Sequence, residues 1–180
     1  GKHSTNHPWW EMGSKPFAAH QNAPANIQSI GDVSIRPIYA EWFDADIYIS
    51  IHSNASGQPN STAAGTSTYR YNCGQSSAGG CDDPPGSIQL QSILHNTLVS
   101  ALQTKWDENW VDRGVKTANF GELRNLDDMP GVLLETAFHD NVRLSSNRNL
   151  KMTDNQSLHD PRWRDITAYA IYQGISEYFD

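Results

Sequence analysis

Residues 45–54 read Ala-Asp-Ile-Tyr-Ile-Ser-Ile-His-Ser-Asn, and their pattern decides the fold class. Ile47, Ile49 and Ile51 alternate with Tyr48 and Ser50, the run is β-branched and aromatic, and His52 arrives where it stops, just before the turn-forming Ser53, Asn54 and Gly57. The spacing predicts a strand that carries a histidine to its own C-terminal end. In open α/β sheets ligands bind beyond the carboxyl ends of the strands, so a polar side chain there is placed for chemistry. A hydrogen-bonded strand-end histidine is the alternative on this stretch alone.

Residues 130–138, Pro-Gly-Val-Leu-Leu-Glu-Thr-Ala-Phe, form a second short apolar run that contains one ionisable residue, Glu135. Its Val-Leu-Leu core has no polar face, as expected of a strand covered on both sides. Two buried strands thus each present one reactive group at the same end. A histidine able to bind metal and a glutamate able to take a proton from an activated water are the minimum of a zinc hydrolase centre.

With these two segments stand Asp112-Arg113-Gly114-Val115-Lys116, then Asn119-Phe120, Leu123-Arg124 and Asn141. In this order the motifs resemble the zinc-dependent N-acetylmuramoyl-L-alanine amidases of the AmiC type, from about residue 32 to the C-terminus. The resemblance implies a single α/β domain with a mixed or mainly parallel sheet flanked by helices on both faces. It implies hydrolysis of the amide between N-acetylmuramic acid and L-alanine in peptidoglycan, with Zn2+ as cofactor, His52 as metal ligand and Glu135 as catalytic glutamate. An extracellular or periplasmic place of action goes with that substrate. A zinc carboxypeptidase acting on stem peptides and a non-catalytic wall-binding module or inactive fragment are the rival readings.

The family opens with a strand ending in a Gly-His-Gly type turn, whose histidine is a zinc ligand, followed by a helix whose glutamate is another. Neither is found, and no Gly-His dipeptide occurs in the chain. The expectation is therefore that residues 1–31 are a partial N-terminal region and loop, residues 32–180 the amidase catalytic domain, and the first strand and helix missing. His3, His7 and Glu11 are spaced by four and on a helix would share a face, which makes them candidate ligands. Pro8 argues against a helix that includes His3. His139 is a further candidate. Trp9, Trp10 and Phe17 read as core contacts of a short helix.

Residues 18–31, rich in Ala, Asn, Gln and Pro, read as a loop, and a helix through Ile35, Ile38, Tyr39 and Trp42 follows with Pro37 in its first turn. Arg36 on it is expected in a structural ion pair. Residues 66–71 alternate as a strand. Apolar residues at Leu90, Ile93, Leu94, Leu98, Ala101 and Leu102 predict an amphipathic helix, with His95 at its boundary. Asp160-Pro161 opens a terminal helix, with Tyr169, Tyr172 and Tyr178 completing its packing surface, and residues 141–158 form a polar connection.

Asn54, Arg113, Lys116 and Arg124 are candidate substrate-binding residues. The three cations stand within twelve residues, where a local basic rim would orient the carboxylates and carbonyls of a stem peptide. Pairing with Asp112, Asp127 or Asp128 is the alternative. Glu122 occupies a position where these amidases more often carry an apolar residue, and it reads as solvent-facing or as a gating contact. Cys73 and Cys81 flank a loop dense in Gly, Ser and Pro, and in an exported protein they are expected to form a disulfide, with free thiols or metal ligation as alternatives.

The 180 residues suit one domain, and the formal charge of −7 argues against nucleic acid, which needs clustered Lys and Arg. No apolar run of membrane-spanning length is present, and the oligomeric state is open.

Overall fold

The computed structural model describes residues 6–72, 83–144 and 148–180. Its centre is a four-stranded mixed sheet of β1 (Tyr48–Asn54), β2 (Thr66–Tyr71), β3 (Asp112–Ala118) and β4 (Gly131–Phe138), in the order β1-β4-β2-β3. β1 runs parallel to β4 and β2 parallel to β3, while β2 and β4 meet antiparallel in the middle. Both segments first read as strands form β1 and β4. Val132, Leu133 and Leu134 are at most 2% exposed, so the unbroken apolar run of β4 is covered on both faces.

Helices α4 (Ser87–Lys105) and α6 (Pro161–Phe179) cover one face. Leu90 and Leu94 of α4 and Ile171 of α6 pack with Val132 and Leu134, and Ile47, Ile49 and Tyr178 join at the margin. Their contact is close. A Cβ on Gly174 of α6 would stand 2.8 Å from Leu94 Cδ2 and 2.7 Å from Thr97 Oγ1 of α4. The other face lies under a turn-rich segment, residues 119–130, whose Leu123, Leu126 and Met129 cluster with Leu133, Tyr48, Tyr69 and Tyr71. Helix α3 (Ile35–Trp42) adds Ala40 to this side, and its Glu41 accepts the backbone N–H of Asp127 at 2.8 Å. Among the described residues β1 pairs with β4 alone, and Ile51 on that edge is 60% exposed.

The structure departs from the sequence reading in four places. Residues 18–31 are not one loop: α1 (Ser14–His20) and α2 (Ala25–Gln28) bury Ala18, Ala23 and Ile27 against Ile35. Asn22, at φ 60°, makes the turn between them and Pro24 precedes α2, so the turn-forming residues mark short helix boundaries. Trp9 and Phe17 are surface residues, 41% and 38% exposed, and Trp10 stacks on His20 at 4.7 Å, so this aromatic group is not core. The connection 141–158 contains α5 (Asp154–His159), opened by a capping box in which Thr153 Oγ1 accepts from Gln156 N and the Gln156 side chain accepts from Thr153 N.

The expectations for the starts of α3 and α6 and for Arg36 fit. Pro37 sits in the first turn of α3, Arg36 pairs with Asp32 at 3.0 Å, and Asp160 caps α6 by accepting from Arg162 N at 2.9 Å. His95 is a buried structural residue on α4, 4% exposed, with Nε2 2.9 Å from Asp112 Oδ1 and Nδ1 3.3 Å from Thr68 Oγ1. Tyr169 and Tyr172, expected to pack, are instead 54% and 63% exposed. Among the described residues no helix is long and apolar enough to cross a membrane. Cys73 and Cys81 lie outside the described residues.

Candidate active site

The parallel register of β1 and β4 sets His52 directly opposite Glu135. Alternation along a strand puts Tyr48, Ser50 and His52 on one face, and Leu133 and Glu135 on the same face of the neighbour. That face is the one roofed by residues 119–130, so the two groups lie on the sheet surface beneath this segment, near the strand ends. Thr136 Oγ1 donates to the His52 carbonyl at 2.9 Å and locks the two strands at this level.

Glu122, in the roof, completes the arrangement. Its Oε1 is 3.8 Å from His52 Nε2, with the two side chains 15% and 26% exposed. Of the two readings left open for this residue, the structure selects the contact with the site. Ser50 Oγ stands 2.8 Å from the same His52 nitrogen. Glu135 Oε2 is buried and has no hydrogen-bond partner. Burial and, second, the charge of Glu122 push the Glu135 carboxyl up to about 7. A carboxyl poised near neutrality beside an imidazole can accept a proton from water and return it to a leaving group.

The raised pKa is linked to stability, with a definite sign. Between the ordinary value of 4.5 and about 7 the folded chain keeps a proton on Glu135 that the unfolded chain releases. This contribution is therefore fully present below about 4.5 and is lost as pH rises through about 7. Urea unfolding in chelator across that range is expected to give a falling stability in the wild type and a flatter profile in Glu135→Gln. Parallel profiles would contradict the assignment.

The other candidates are dispersed around this centre. Lys116 lies over the Tyr69 ring at 5.6 Å, and Tyr69 pairs with Leu133, so this cation shares the site's face. Arg113 lies over the Phe138 ring at 4.9 Å, at the end of β4. Arg124 is turned onto Asn119, donating to its side chain at 2.7 Å and its carbonyl at 3.2 Å. Among the described residues none of the three is in a carboxylate ion pair, and Asp112 holds His95 instead. Asn54 Oδ1 accepts the N–H of Ala55 at 2.7 Å, the role of a turn former.

His7 and Glu11 pair with each other at 3.0 Å on the surface, His139 Nδ1 stands 3.1 Å from Ser53 Oγ, and His3 lies outside the described residues. Among the described residues no group of three or more His, Cys, Asp or Glu is arranged to hold a metal. His52 and Glu122 are nonetheless a nitrogen and an oxygen donor of the kind zinc takes, next to a carboxylate with an unpartnered buried oxygen. The chemistry of these two donors fits the metal, and catalytic zinc sites usually take three protein ligands.

Comparison with known proteins places these motifs in context. A family model described as N-acetylmuramoyl-L-alanine amidase matches residues 21–177. An uncharacterized cell wall amidase of Bacillus anthracis is 36% identical over 143 residues, 79% of this chain and 23% of the relative. The N-acetylmuramoyl-L-alanine amidase LytC of Bacillus subtilis is 33% identical over 137 residues, 75% of this chain and 22% of the relative. The chain thus spans less than a quarter of the length of these two relatives. Among solved structures, the catalytic domain of CwlV, an N-acetylmuramoyl-L-alanine amidase from Bacillus (Paenibacillus) polymyxa var. colistinus, is similar at a TM-score of 0.61 and 26% identity, over 85% of this chain and 68% of that one.

Proposed function

The chain belongs to the N-acetylmuramoyl-L-alanine amidase family, and from that premise we propose that it hydrolyses the amide joining N-acetylmuramic acid to L-alanine in peptidoglycan, acting outside the cell or in the periplasm. The observation that carries this reading is the register pairing of His52 with Glu135 beneath Glu122, where Glu135 Oε2 is buried without a partner. In this reading His52 holds zinc, Glu122 offers it an oxygen, and Glu135 is the general base. Zinc, when bound, supplies a Lewis acid for the scissile carbonyl and makes a water more acidic.

The chain's own residues do the proton work. Glu135 takes the proton of the attacking water and gives it to the departing amine of L-alanine. A pKa of about 7 suits both steps, since the group loses and regains a proton at little cost near neutral pH. Burial keeps bulk water from competing for that proton. Lys116, on the same face of the sheet, and Arg113, at the end of β4, are assigned to the carboxylates of the stem peptide, with Arg124 and Asn54 shaping the rim.

Two measurements test the reading. On a defined soluble muropeptide, mass spectrometry is expected to find the free muramoyl carboxyl and a new L-alanine amino terminus. Cleavage between stem residues instead would mean the carboxypeptidase reading. Elemental analysis of zinc-reloaded protein is expected to find zinc that His52→Ala loses. Zinc content equal in the two proteins would remove His52 from the metal site. The small number of donors among the described residues keeps a non-catalytic wall-binding role as second reading, and it predicts sacculus binding with no turnover.

A further inference from the structure

A groove lies on the opposite side of the sheet, where α4 and α6 meet at the surface. Tyr169 and Tyr172 stand at i and i+3 on α6 and so share a helix face. They are 54% and 63% exposed, with ring centroids 6.2 Å apart and planes tilted by 35°. Lys105 Nζ lies 5.4 Å from the centre of the Tyr169 ring. The rings form part of a groove of about 540 Å³ lined also by Thr104, Gln173 and Ser176. A volume of that size is in the range of sites that hold small organic ligands, roughly 300–1,000 Å³.

The chemistry of this lining selects its ligand. Two rigid rings offer flat apolar faces with polar tips, at low entropic cost because each side chain has only two rotatable angles. Hydroxyls, an amide and an ammonium group stand between and around them. A pyranose matches that alternation, with a flat C–H face for a ring and a rim of hydroxyl and acetamido groups for the hydrogen-bonding side chains. An apolar peptide helix does not, because the groove has little aliphatic surface. Glu177 and Asp180 also line it and offset Lys105, which disfavours a polyanion.

We propose that the α4–α6 groove is a glycan-binding site for β-1,4-linked N-acetylated amino sugars, separated by the sheet from the His52–Glu135 centre. It would hold one part of a polysaccharide while the other face acts on a stem peptide, raising the effective concentration of substrate. The choice of amino sugar rests on the cell-wall reading above. The lining argument for a neutral glycan does not.

The test is titration of the full chain with chitotetraose, followed by calorimetry and by amide NMR shifts. Saturable binding with shifts centred on residues 105, 169 and 172 is expected, weakened about tenfold or more by Tyr172→Ala. Tyr172 is exposed, so circular dichroism should show an unchanged fold. The same variant should cleave soluble muropeptide at the wild-type rate and release less product from insoluble sacculi. Absence of saturable binding, or binding that both Tyr169→Ala and Tyr172→Ala leave unaltered, overturns the proposal. Binding without muropeptide cleavage would remove the amidase reading and leave this site standing, and cleavage without binding would do the reverse.

Discussion

Glu135→Gln is expected to lower the rate of muropeptide amide hydrolysis by about 10²–10⁴-fold, the range over which a positioned general base acts. The exchange keeps the shape of the side chain and removes its ability to take a proton. It is also the least disruptive change at this position. Glu135 Oε2 has no hydrogen-bond partner to lose, and the carboxyl is held near pH 7 by burial and by the charge of Glu122, so a neutral amide relieves both penalties. Thermal unfolding should show the variant at least as stable as the wild type at pH 8. A folded Glu135→Gln protein that retains more than about a tenth of the wild-type rate would rule out Glu135 as the base.

The elements that were legible in the sequence are those with a strong local signal. The alternating isoleucines of β1, the unbroken Val-Leu-Leu of β4, the three-and-four spacing along α4 and the Asp160-Pro161 start of α6 each state a period or a boundary that tertiary packing then preserved. The pairing of His52 with Glu135 was also within reach, because each residue sits at the corresponding point of a strand and a parallel register brings such points together. Short helices were harder. The segments that become α1 and α2 span seven and four residues, too few for a period to emerge among Asn and Pro.

Glu122 shows a different limit. A single acidic residue in a turn carries no local pattern, and its contact with His52 crosses seventy positions of chain. The packing of Phe120 against Tyr69, with ring centroids 5.1 Å apart, and the burial of Leu123, Leu126 and Met129 fix the roof segment that carries Glu122 to His52. Its sequence signal is its place just before Leu123, where the amidases it resembles more often carry an apolar residue. Tyr169 and Tyr172 show the opposite limit: their place on an amphipathic helix suggests packing, but Trp163, Thr167, Ala170, Ile171 and Gly174 form the buried face of α6 and the two tyrosines stand off it, in water.

Asp154→Ala is expected to cost about 3–5 kcal/mol of folding stability, and in a chain of this size to lower the melting temperature by about 10 °C. Asp154 is fully buried and accepts from Gly65 N at 2.7 Å, from Phe138 N at 3.0 Å and from the Arg148 guanidinium, while its own N–H donates to Asn141 Oδ1 at 2.8 Å. It thereby ties the start of α5 to the end of β4 and to the turn before β2. That turn depends on glycine: Gly65 has φ 102°, and a Cβ there would stand 2.1 Å from the Val111 carbonyl oxygen. Removing the carboxylate leaves two buried N–H groups unpaired and takes from Arg148, 2% exposed and stacked 3.9 Å from the Trp110 ring centre, its directly bonded counter-charge, with Asp107 as the remaining acid acting on it. Burial pushes the Asp154 carboxyl pKa up against the pull of Arg148, and the value of the pair lies in the groups it would leave stranded. The double variant Asp154→Ala/Arg148→Met should accordingly recover part of the loss, and Asp154→Asn, which keeps one acceptor, should cost less than Asp154→Ala. Chemical unfolding measures all three. A loss below about 1 kcal/mol for Asp154→Ala would mean that the backbone at Gly65 and Phe138 finds other partners, and that α5 is not held through this carboxylate.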